Sequence, residues 1–329
     1  MTINPAKKIG IVCSKSPDLT AELVQDWIED LGCESVKVCA LDYSNEMICL
    51  KKEFDNVSIS KNSYSLHNYH SLWFRRIDDF RFDFDLVKKY SQETSYVLKR
   101  TLENDKVILD RIFLKKLNGI WKVSSPNQVK VNKLDVLESA TKLGINTPDY
   151  LITNNKSDLY TFFLSKENGI ITKDIDFPFM TFENNQGVMI YVNAIEEEIF
   201  DALPDFFPVS FFQERIEKKF EIRSFILYDK IYSMAIFSQS DIQTKEDFRR
   251  YNNLKPNRRV PYKLPDNMER QLKSLMKELN LDSGSIDLLV DRSGVIHFLE
   301  VNPVGQFGMV SHPCNYYLEK EIAKKLCYE

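Results

Sequence analysis

The chain has 329 residues, of which 43% are hydrophobic and 28% are charged, so it is large and apolar enough for two or three globular domains. Its formal net charge of −4 argues against a nucleic-acid-binding surface as its main activity. No stretch approaches eighteen apolar residues, the first eight residues lack the apolar core of a signal peptide, and the six cysteines form no CxxC pair, so we expect a cytoplasmic protein with reduced thiols and no membrane partner.

The pattern of residues 1–124 predicts an N-terminal α/β domain. Short apolar strands alternate with segments that carry apolar residues at helical spacing, and the first three elements predict a β-α-β unit. No GxGxxG loop follows the first strand, so a dinucleotide-binding fingerprint is lacking. The predicted elements are strands at 7–14, 36–41 and 106–109 and helices at 19–31 and 83–104.

Two adjacent arginines, Arg75 and Arg76, follow an aromatic strand at residues 71–74 in this domain. Paired guanidinium groups form good forks for carboxylates and phosphates, so these residues are predicted to bind substrate. The alternative is that they pair with their neighbours Asp78 and Asp79.

In the central segment, residues 125–212, two lysines occupy positions that suit a bound anion. Lys133 lies in the first turn of a helix that Asn132 caps, where the helix dipole disfavours a cation unless a phosphate is bound nearby. Lys173 ends an apolar strand, where a lone ammonium group is costly without an anion, although a snorkelling lysine is the alternative. The predicted elements are a helix at 133–143 and strands at 150–153 and 169–173.

The last segment, residues 213–329, begins with a polar connection between two strands. Such a connection can offer backbone groups to a flat purine base, and Glu221 is available to accept hydrogen bonds from ribose hydroxyls. A polar loop over residues 238–265 has the length typical of a substrate loop. Amphipathic helices are predicted at 268–279 and 315–326.

Three oxygen-bearing side chains, Asp287, Glu300 and Asn302, interrupt two apolar runs near the end of the chain. The runs are predicted to form a hairpin with its turn at residues 291–294. Glu300 and Asn302 are two residues apart and therefore share one face of their strand. Hard oxygen ligands of this kind suit Mg²⁺ held jointly with substrate phosphates.

The length of the turn decides whether Asp287 joins the other two. With an even turn, Asp287 pairs with Phe298 and Glu300 lies diagonally beside it, so the two carboxylates repel each other unless a cation joins them. A three-residue turn would place the two carboxylates on opposite faces of the hairpin. Asp287 and Glu300 would then be edge-strand residues whose carboxylates are exposed to solvent.

The order of these parts resembles the ATP-grasp ligases: a lysine at a helix start, a lysine at a strand end, an acidic connection, and Asp with Glu-x-Asn on paired strands. Within them the chain looks like the peptide maturases that make graspetides, the microviridin-type and grasp-with-spasm enzymes. The closer likeness is carried by residues 73–76, 125–127, 132–133, 247–249, 298–307 and 314–319. The resemblance implies an α/β and α+β ATP-grasp fold with an N-terminal α/β domain at 1–124, a central lobe at 125–212 and a C-terminal lobe with the metal-binding hairpin at 213–329.

The resemblance also implies which residues bind ATP. Lys133 and Lys173 would bind its phosphates. The adenine and ribose would be contacted by Glu214, Arg215, Ile216 and Glu221.

Metal binding and catalysis are implied at five further positions. Asp287, Glu300 and Asn302 would ligate Mg²⁺. Arg223 would lie near the phosphates, and Arg249 would hold the transferred phosphoryl group or the acceptor carboxylate.

Two features depart from the wider superfamily. Many members have an arginine two residues before the first metal-binding aspartate, where this chain has Ser285, so the missing charge would have to come from Arg223 or Arg249. Many also have a glycine-rich loop over the phosphates, whereas the corresponding interval 176–191 contains only Gly187.

The activity that the resemblance implies is an ATP-dependent macrocyclization of a ribosomally made precursor peptide with a leader and a core. Asp or Glu side chains would be activated as acylphosphates and joined to Thr or Ser hydroxyls as esters or to Lys amines as amides, with the ester as the favoured product. The alternatives are a ligase that adds an amino acid to a protein or small acid, and a non-catalytic nucleotide-binding or peptide-binding module. The oligomeric state is left open, with a homodimer as the alternative to a monomer.

Overall fold

A computed structural model describes residues 7–14, 17–39, 48–53, 56–61, 68–76, 89–175, 180–183, 186–189, 192–239, 254 and 256–329. The chain divides into two compact units, one of Met1–Val129 with Tyr317–Glu329 and one of Lys130–Tyr316. The division into three domains at 124/125 and 212/213 stays a prediction. No helix in the described part of the chain is both long and apolar enough to cross a membrane.

The first unit is built on a parallel sheet. Its strands are β1 (Lys8–Cys13), β2 (Glu34–Cys39), β5 (Asn68–Phe74) and β6 (Asn118–Trp121), and a separate hairpin is formed by β3 (Ile48–Glu53) and β4 (Asn56–Lys61). Its described helices are α1 (Leu19–Asp30), α2 (Gln92–Lys116) and α8 (Leu318–Tyr328). The sheet order is β2-β1-β5-β6 with parallel pairing throughout, which confirms the predicted β-α-β unit.

The predicted closing strand at residues 106–109 is wrong. These residues belong to α2, where Lys106 and Asp110 form a buried ion pair one helical turn apart. The apolar run at residues 107–109 has only three residues, and so short a run fits a helix segment as well as a strand. The strand that closes the sheet is β6. The predicted helix at 83–104 is confirmed from Gln92 onward and is wrong at residues 89–91, which precede the helix with Ser91 as its N-cap, while residues 83–88 lie outside the described residues.

The second unit contains two antiparallel sheets. The smaller sheet has the order β11-β8-β12-β7. It consists of β7 (Tyr150–Asn155), β8 (Ile170–Thr172), β11 (Asn193–Ile195) and β12 (Phe206–Glu214), accompanied by α4 (Lys156–Leu164), α5 (Ile199–Ala202) and a hairpin of β9 (Met180–Glu183) and β10 (Gln186–Met189).

The larger sheet has the order β15-β14-β13-β16-β17. It consists of β13 (Lys218–Leu227), β14 (Lys230–Phe237), β15 (Arg258–Tyr262), β16 (Ser283–Asp291) and β17 (Ile296–Asn302), accompanied by α3 (Lys133–Lys142), α6 (Asp266–Glu278) and α7 (Gly308–Cys314). The predicted helices at 133–143 and 268–279 correspond to α3 and α6, and Asn132 caps α3 by accepting a hydrogen bond from the Leu134 amide at 2.9 Å.

One face of the larger sheet forms the core of this unit. Its buried apolar side chains pack with those of α3 and α6, as the amphipathic spacing predicted. The core includes Val136, Leu137, Leu272, Leu275, Ile222, Ile286, Leu288, Val290, Ile296, Phe298 and Val301. Because successive strand residues point to opposite faces, the polar residues between them lie together on the other face.

The final helix predicted at 315–326 corresponds to α8, which begins three residues later, at Leu318, and is separated from α7 by residues 315–317. Asn315 and Tyr317 both have left-handed backbone conformations, with φ of 54° and 52°, and a right-handed helix cannot continue through them.

Candidate functional site

The turn between β16 and β17 is odd, so the predicted even turn is wrong. Val290 pairs with Ile296 and Leu288 with Phe298, which leaves an odd number of residues between the strands. The predicted pairing of Asp287 with Phe298 is therefore also wrong. In an uninterrupted ladder this register would separate the two carboxylates, as the alternative interpretation required.

A β-bulge at Leu299 reverses that outcome. The register shifts between the Leu288 and Asp287 pairs, so Leu299 is the extra residue and Asp287 lies directly opposite Glu300. Phe298 and Val301, three residues apart, are both buried in the core, whereas a regular strand buries residues two apart. The two carboxylates thus share the polar face of the sheet, by a route that the turn alone did not indicate.

Three charged residues form a row across that face. Arg223 on β13 is the register partner of Asp287 on β16, which in turn faces Glu300 on β17. The Arg223 guanidinium donates to both carboxylate oxygens of Asp287. Two pairs further along, on the same face, Asn302 lies opposite Ser285, and the Asn302 amide donates to Glu300 Oε1 at 3.2 Å.

Two lysines complete the charge distribution around Glu300. Lys133 Nζ lies 3.0 Å from Glu300 Oε2, with side chains that are 18% and 24% exposed. Burial raises the pKa of Glu300, but the charges of Lys133 and Lys173 and the hydrogen bonds from Lys133 and Asn302 outweigh it and lower the pKa to about 2. Both predicted phosphate-binding lysines therefore act on the predicted metal ligand, and the ion pair with Glu300 explains a cation at the start of α3.

The connection after β12 is tied to its neighbours through the backbone. The Glu214 amide donates to the Asp149 carbonyl at 2.8 Å, and the Asp149 amide donates to Glu214 Oε2 at 3.2 Å. The Arg215 amide donates to the Gly169 carbonyl at 3.1 Å. Residues 215–217, which include Ile216, thus leave the smaller sheet from an anchored point before β13 begins.

Glu221 lies two residues before Arg223 on β13 and therefore on the same face. It is buried and accepts a hydrogen bond from Lys218 Nζ at 2.6 Å. The sequence interpretation placed Lys218 in a polar connection and missed this pair, although the spacing of three residues was visible. Binding of a ribose by Glu221 stays a prediction.

Gln213 is a second residue that the sequence interpretation missed. It is 1% exposed, precedes the polar connection, and its side-chain nitrogen has no hydrogen-bond partner among the described residues. The available signal was a lone amide inside the aromatic run that begins at Phe211.

Ser285, which stands where an arginine is common in the superfamily, lies under Gly305. A Cβ atom at Gly305 would come 2.1 Å from Ser285 Oγ and 2.7 Å from the Ser285 amide nitrogen. The close approach requires both a glycine and a small partner, and the guanidinium nearest the first carboxylate comes from Arg223 instead.

The other predicted arginines belong to the first unit or lie outside the described residues. Arg75 and Arg76 belong to the first unit, where their Nε atoms lie 3.3 and 3.0 Å from Asp18 Oδ2. Their alternative partners, residues 78–79, lie outside the described residues, as does Arg249.

The donor set on the polar face fits a hard divalent cation. The described residues contain no group of three His, Cys, Asp and Glu side chains that could hold a metal, so the candidate ligands are two carboxylates, Asp287 and Glu300, and the amide of Asn302. Oxygen ligands of this number suit Mg²⁺ that is shared with phosphates. Arg223 and Lys133 neutralise the carboxylates here, and both cations can pass to phosphate oxygens when a metal takes their place. The residues therefore fit Mg²⁺ and a polyphosphate.

Solved structures of similar fold cover almost the whole chain. A ligase from Chryseobacterium gregarium, described as a RiPP-associated ATP-grasp ligase in complex with ADP and a leader and core peptide, is 21% identical with a TM-score of 0.79 over 98% of this chain and 96% of that chain. The macrocyclase MdnC from Microcystis aeruginosa MRC, bound with precursor peptide MdnA, is 24% identical with a TM-score of 0.80 over 98% and 100%. The ATP-grasp ligase PsnB with minimal precursor, Mg and ADP is 15% identical with a TM-score of 0.71 over 97% and 96%.

No protein-family model matches the chain, and no curated protein matches its sequence. The structural likeness confirms the predicted fold: the chain has an ATP-grasp fold that includes an N-terminal α/β region.

Proposed function

We propose that the chain is an ATP-dependent ligase of the graspetide type, which closes rings in a ribosomally made precursor peptide. The observation that carries the proposal is the row of Arg223, Asp287 and Glu300, with Lys133 bound to its outer end. Its support from the comparisons is that the similar structures are described as peptide-bound ATP-grasp ligases and macrocyclases.

In the first step a side-chain carboxylate of the precursor attacks the γ-phosphate of ATP. A bond forms between the carboxylate oxygen and the γ-phosphorus, the bond to the β-phosphate oxygen breaks, and ADP leaves. Lys133, Lys173 and Arg223 bind phosphate oxygens and stabilise the negative charge that accumulates on them. Mg²⁺, held by Asp287, Glu300 and Asn302, would supply further charge neutralisation when bound.

In the second step a hydroxyl or an amine of the same peptide displaces phosphate from the acylphosphate. A new C–O or C–N bond forms, the C–O bond to phosphate breaks, and the attacking group loses its proton. We propose a Thr or Ser hydroxyl as the attacking group, which gives an ω-ester; a Lys amine would give an ω-amide.

The nucleotide base would lie against the connection after β12. The backbone of Glu214, Arg215 and Ile216 would meet the adenine, and Glu221 would accept hydrogen bonds from the ribose. The support is positional: the connection is anchored at Glu214 and Arg215, and Glu221 lies on the same sheet face as the metal ligands.

The test is incubation of the purified chain with ATP, Mg²⁺ and a precursor rich in Thr and in Asp or Glu. We expect ADP and phosphate to be released and the peptide mass to fall by one water for each ring. Mild base should open an ester ring and leave an amide ring intact. A gain in mass by one amino acid would assign the chain to amino-acid-adding ligases instead, and a precursor left unchanged with no ATP consumed would leave only a binding module.

A further inference from the structure

A second polar cluster lies in the first unit, at the carboxyl ends of β1 and β5. We call Ser14, Asp18, Arg75 and Arg76 the Asp18 cluster. Ser14 follows β1 directly, and the two arginines follow β5 directly. The Arg75 and Arg76 amides both donate to the Val12 carbonyl of β1, at 2.8 and 3.3 Å, which holds the two strand ends together.

The cluster occupies the switch point of the parallel sheet. From β1 the chain crosses through α1 to β2 on one side, while β5 lies on the other side of β1. In open sheets of this type ligands bind in the crevice outside the carboxyl ends of the two strands that flank such a point. Asp18, the N-cap of α1, lies at this edge.

The Asp18 carboxylate has more partners than its role as the N-cap of α1 requires. It caps α1 by accepting from the Thr20 amide at 3.1 Å and the Ala21 amide at 3.4 Å, and its Oδ2 atom also faces both arginines. The buried Arg75 already supplies a counter-charge for this carboxylate. Arg76 is therefore the second guanidinium on one carboxylate.

Arg76 is placed to receive another anion. Its side chain is 41% exposed, and its ion pair with the shared Asp18 is the only one it makes within the described part of the chain. Burial lowers the pKa of Arg75, and the neighbouring charge of Arg76 lowers it further, while Asp18 raises it. An added anion would relieve the repulsion between the two guanidinium groups.

Ser14, directly after β1, is a further buried polar residue at this edge of the sheet. Ser14 is 4% exposed, and its hydroxyl makes no hydrogen bond with any residue that the structure describes. Buried hydroxyl groups in native proteins nearly always have a partner, and those that lack one within the protein call for an explanation.

We propose that the Asp18 cluster binds a carboxylate of an acidic peptide segment, with Arg76 as the main contact. A planar carboxylate matches the guanidinium fork, and a monoanion is repelled by Asp18 less than a phosphate dianion would be. The choice of a peptide as the ligand rests on the proposed function, since a precursor with reactive Asp and Glu residues carries many such carboxylates. The contact positions the substrate and takes no part in phosphoryl transfer.

The test measures binding of two small probes to the full chain without nucleotide or Mg²⁺. The probes are N-acetylglutamate amide, with one carboxylate, and its neutral isostere N-acetylglutamine amide, titrated at low ionic strength by ligand-detected NMR. We expect saturable binding of the charged probe only, weakened about tenfold or more in Arg76→Gln. Arg111→Gln, which changes an exposed arginine of α2 in the same unit, is the matched control and should bind as the wild type does.

Arg76→Lys keeps the positive charge but removes the guanidinium fork, so it should reduce the affinity for the charged probe less than Arg76→Gln does. It is the variant to measure if Arg76→Gln does not fold. Lys133→Gln should leave probe binding unchanged, which separates this site from the ATP site. Equal binding to wild type and both Arg76 variants, no binding at all, or preferential binding of inorganic phosphate would overturn the proposal. None of these results depends on whether the chain turns over ATP.

Discussion

The two ends of the β16–β17 hairpin both carry acidic residues, but the carboxylates at the two ends obtain their hydrogen-bond and ion-pair partners in different ways. At the turn, Asp291 accepts hydrogen bonds from Ser293 Oγ at 2.7 Å and the Val295 amide at 2.9 Å, and His297 Nε2 lies 3.0 Å from its Oδ2. All these partners come from the next six residues of the chain. Burial raises the pKa of Asp291, but these hydrogen bonds outweigh burial and hold the pKa well below its usual range.

At the open end, Asp287 and Glu300 obtain their cationic partners from other elements. Arg223 comes from β13 and Lys133 from the first turn of α3. Both partners are long-chain cations, and both can be shared with an anion.

The difference separates a structural carboxylate from a ligand-binding one. A carboxylate that accepts three hydrogen bonds from its own turn needs no metal to stabilise its charge. Two facing carboxylates whose charges are compensated by cations from distant elements can exchange those cations for Mg²⁺ as phosphates arrive. The following predictions test that distinction, from the largest expected effect to the smallest.

Removing one charge at the open end should abolish activity. We expect Asp287→Asn to lower the rate of ATP-dependent peptide modification by about 10³-fold, because it removes a metal ligand and leaves Arg223 without its carboxylate. The measurement is steady-state ADP release with a precursor peptide. Asp291→Asn is the matched control, and a similar loss of activity in both variants would refute the distinction.

Lys133→Gln should weaken binding of Mg²⁺-ATP by about 10-fold to 100-fold, since a hydrogen bond to a charged group contributes roughly 1.5–3 kcal/mol. Isothermal titration calorimetry measures the affinity. The control is Lys142→Gln at the other end of α3, where the side chain is 71% exposed and should not affect nucleotide binding. Unchanged affinity in Lys133→Gln would remove this lysine from the phosphate site.

Gly305→Ala should destabilise the fold by about 1–3 kcal/mol, because the new methyl group would overlap Ser285. Chemical denaturation measures the free energy of unfolding. Gly308→Ala, whose Cβ would meet its nearest neighbour, His312, at 3.4 Å, serves as the control and should change stability much less. Equal effects of the two substitutions would show that the Gly305 contact is not tight.

Asp291→Asn should cost about 1 kcal/mol of stability near neutral pH and leave the activity of the folded protein unchanged. The pKa of Asp291 is lower in the folded state than in the unfolded chain. Its stabilising contribution is therefore present above the unfolded-state pKa of about 3.9 and is lost as pH falls. Measured from pH 7 to pH 3, the difference in unfolding free energy between the two proteins should begin to narrow below about pH 4. A difference that widens there would contradict the assignment.

The sequence predicted the elements whose patterns are local. The amphipathic spacing of α3 and α6 and the Asn132 cap were visible because each depends on a few neighbouring residues. The same reasoning failed at residues 106–109, where a short apolar run belongs to a long helix that also buries an ion pair.

The geometry of the candidate site could be predicted only in part. The oxygen-bearing residues stood out in apolar strands, but the odd turn and the bulge at Leu299 change the parity of the hairpin twice, and neither has a signature in residue type. The sequence also did not indicate which charged side chains form ion pairs with each other. Asp18 and Arg75, or Arg223 and Asp287, are brought together by strand order, which local patterns do not contain.

The most direct test of the central claim is Mn²⁺ binding followed by electron paramagnetic resonance in the presence of ADP, with Mn²⁺ standing in for Mg²⁺. We predict that wild type and Asp291→Asn form the ternary complex with the same affinity, and that Asp287→Asn binds Mn²⁺ at least about tenfold more weakly. Equal Mn²⁺ affinity in wild type and Asp287→Asn would show that the facing carboxylates do not hold the metal, and the proposed ligase chemistry would lose its basis.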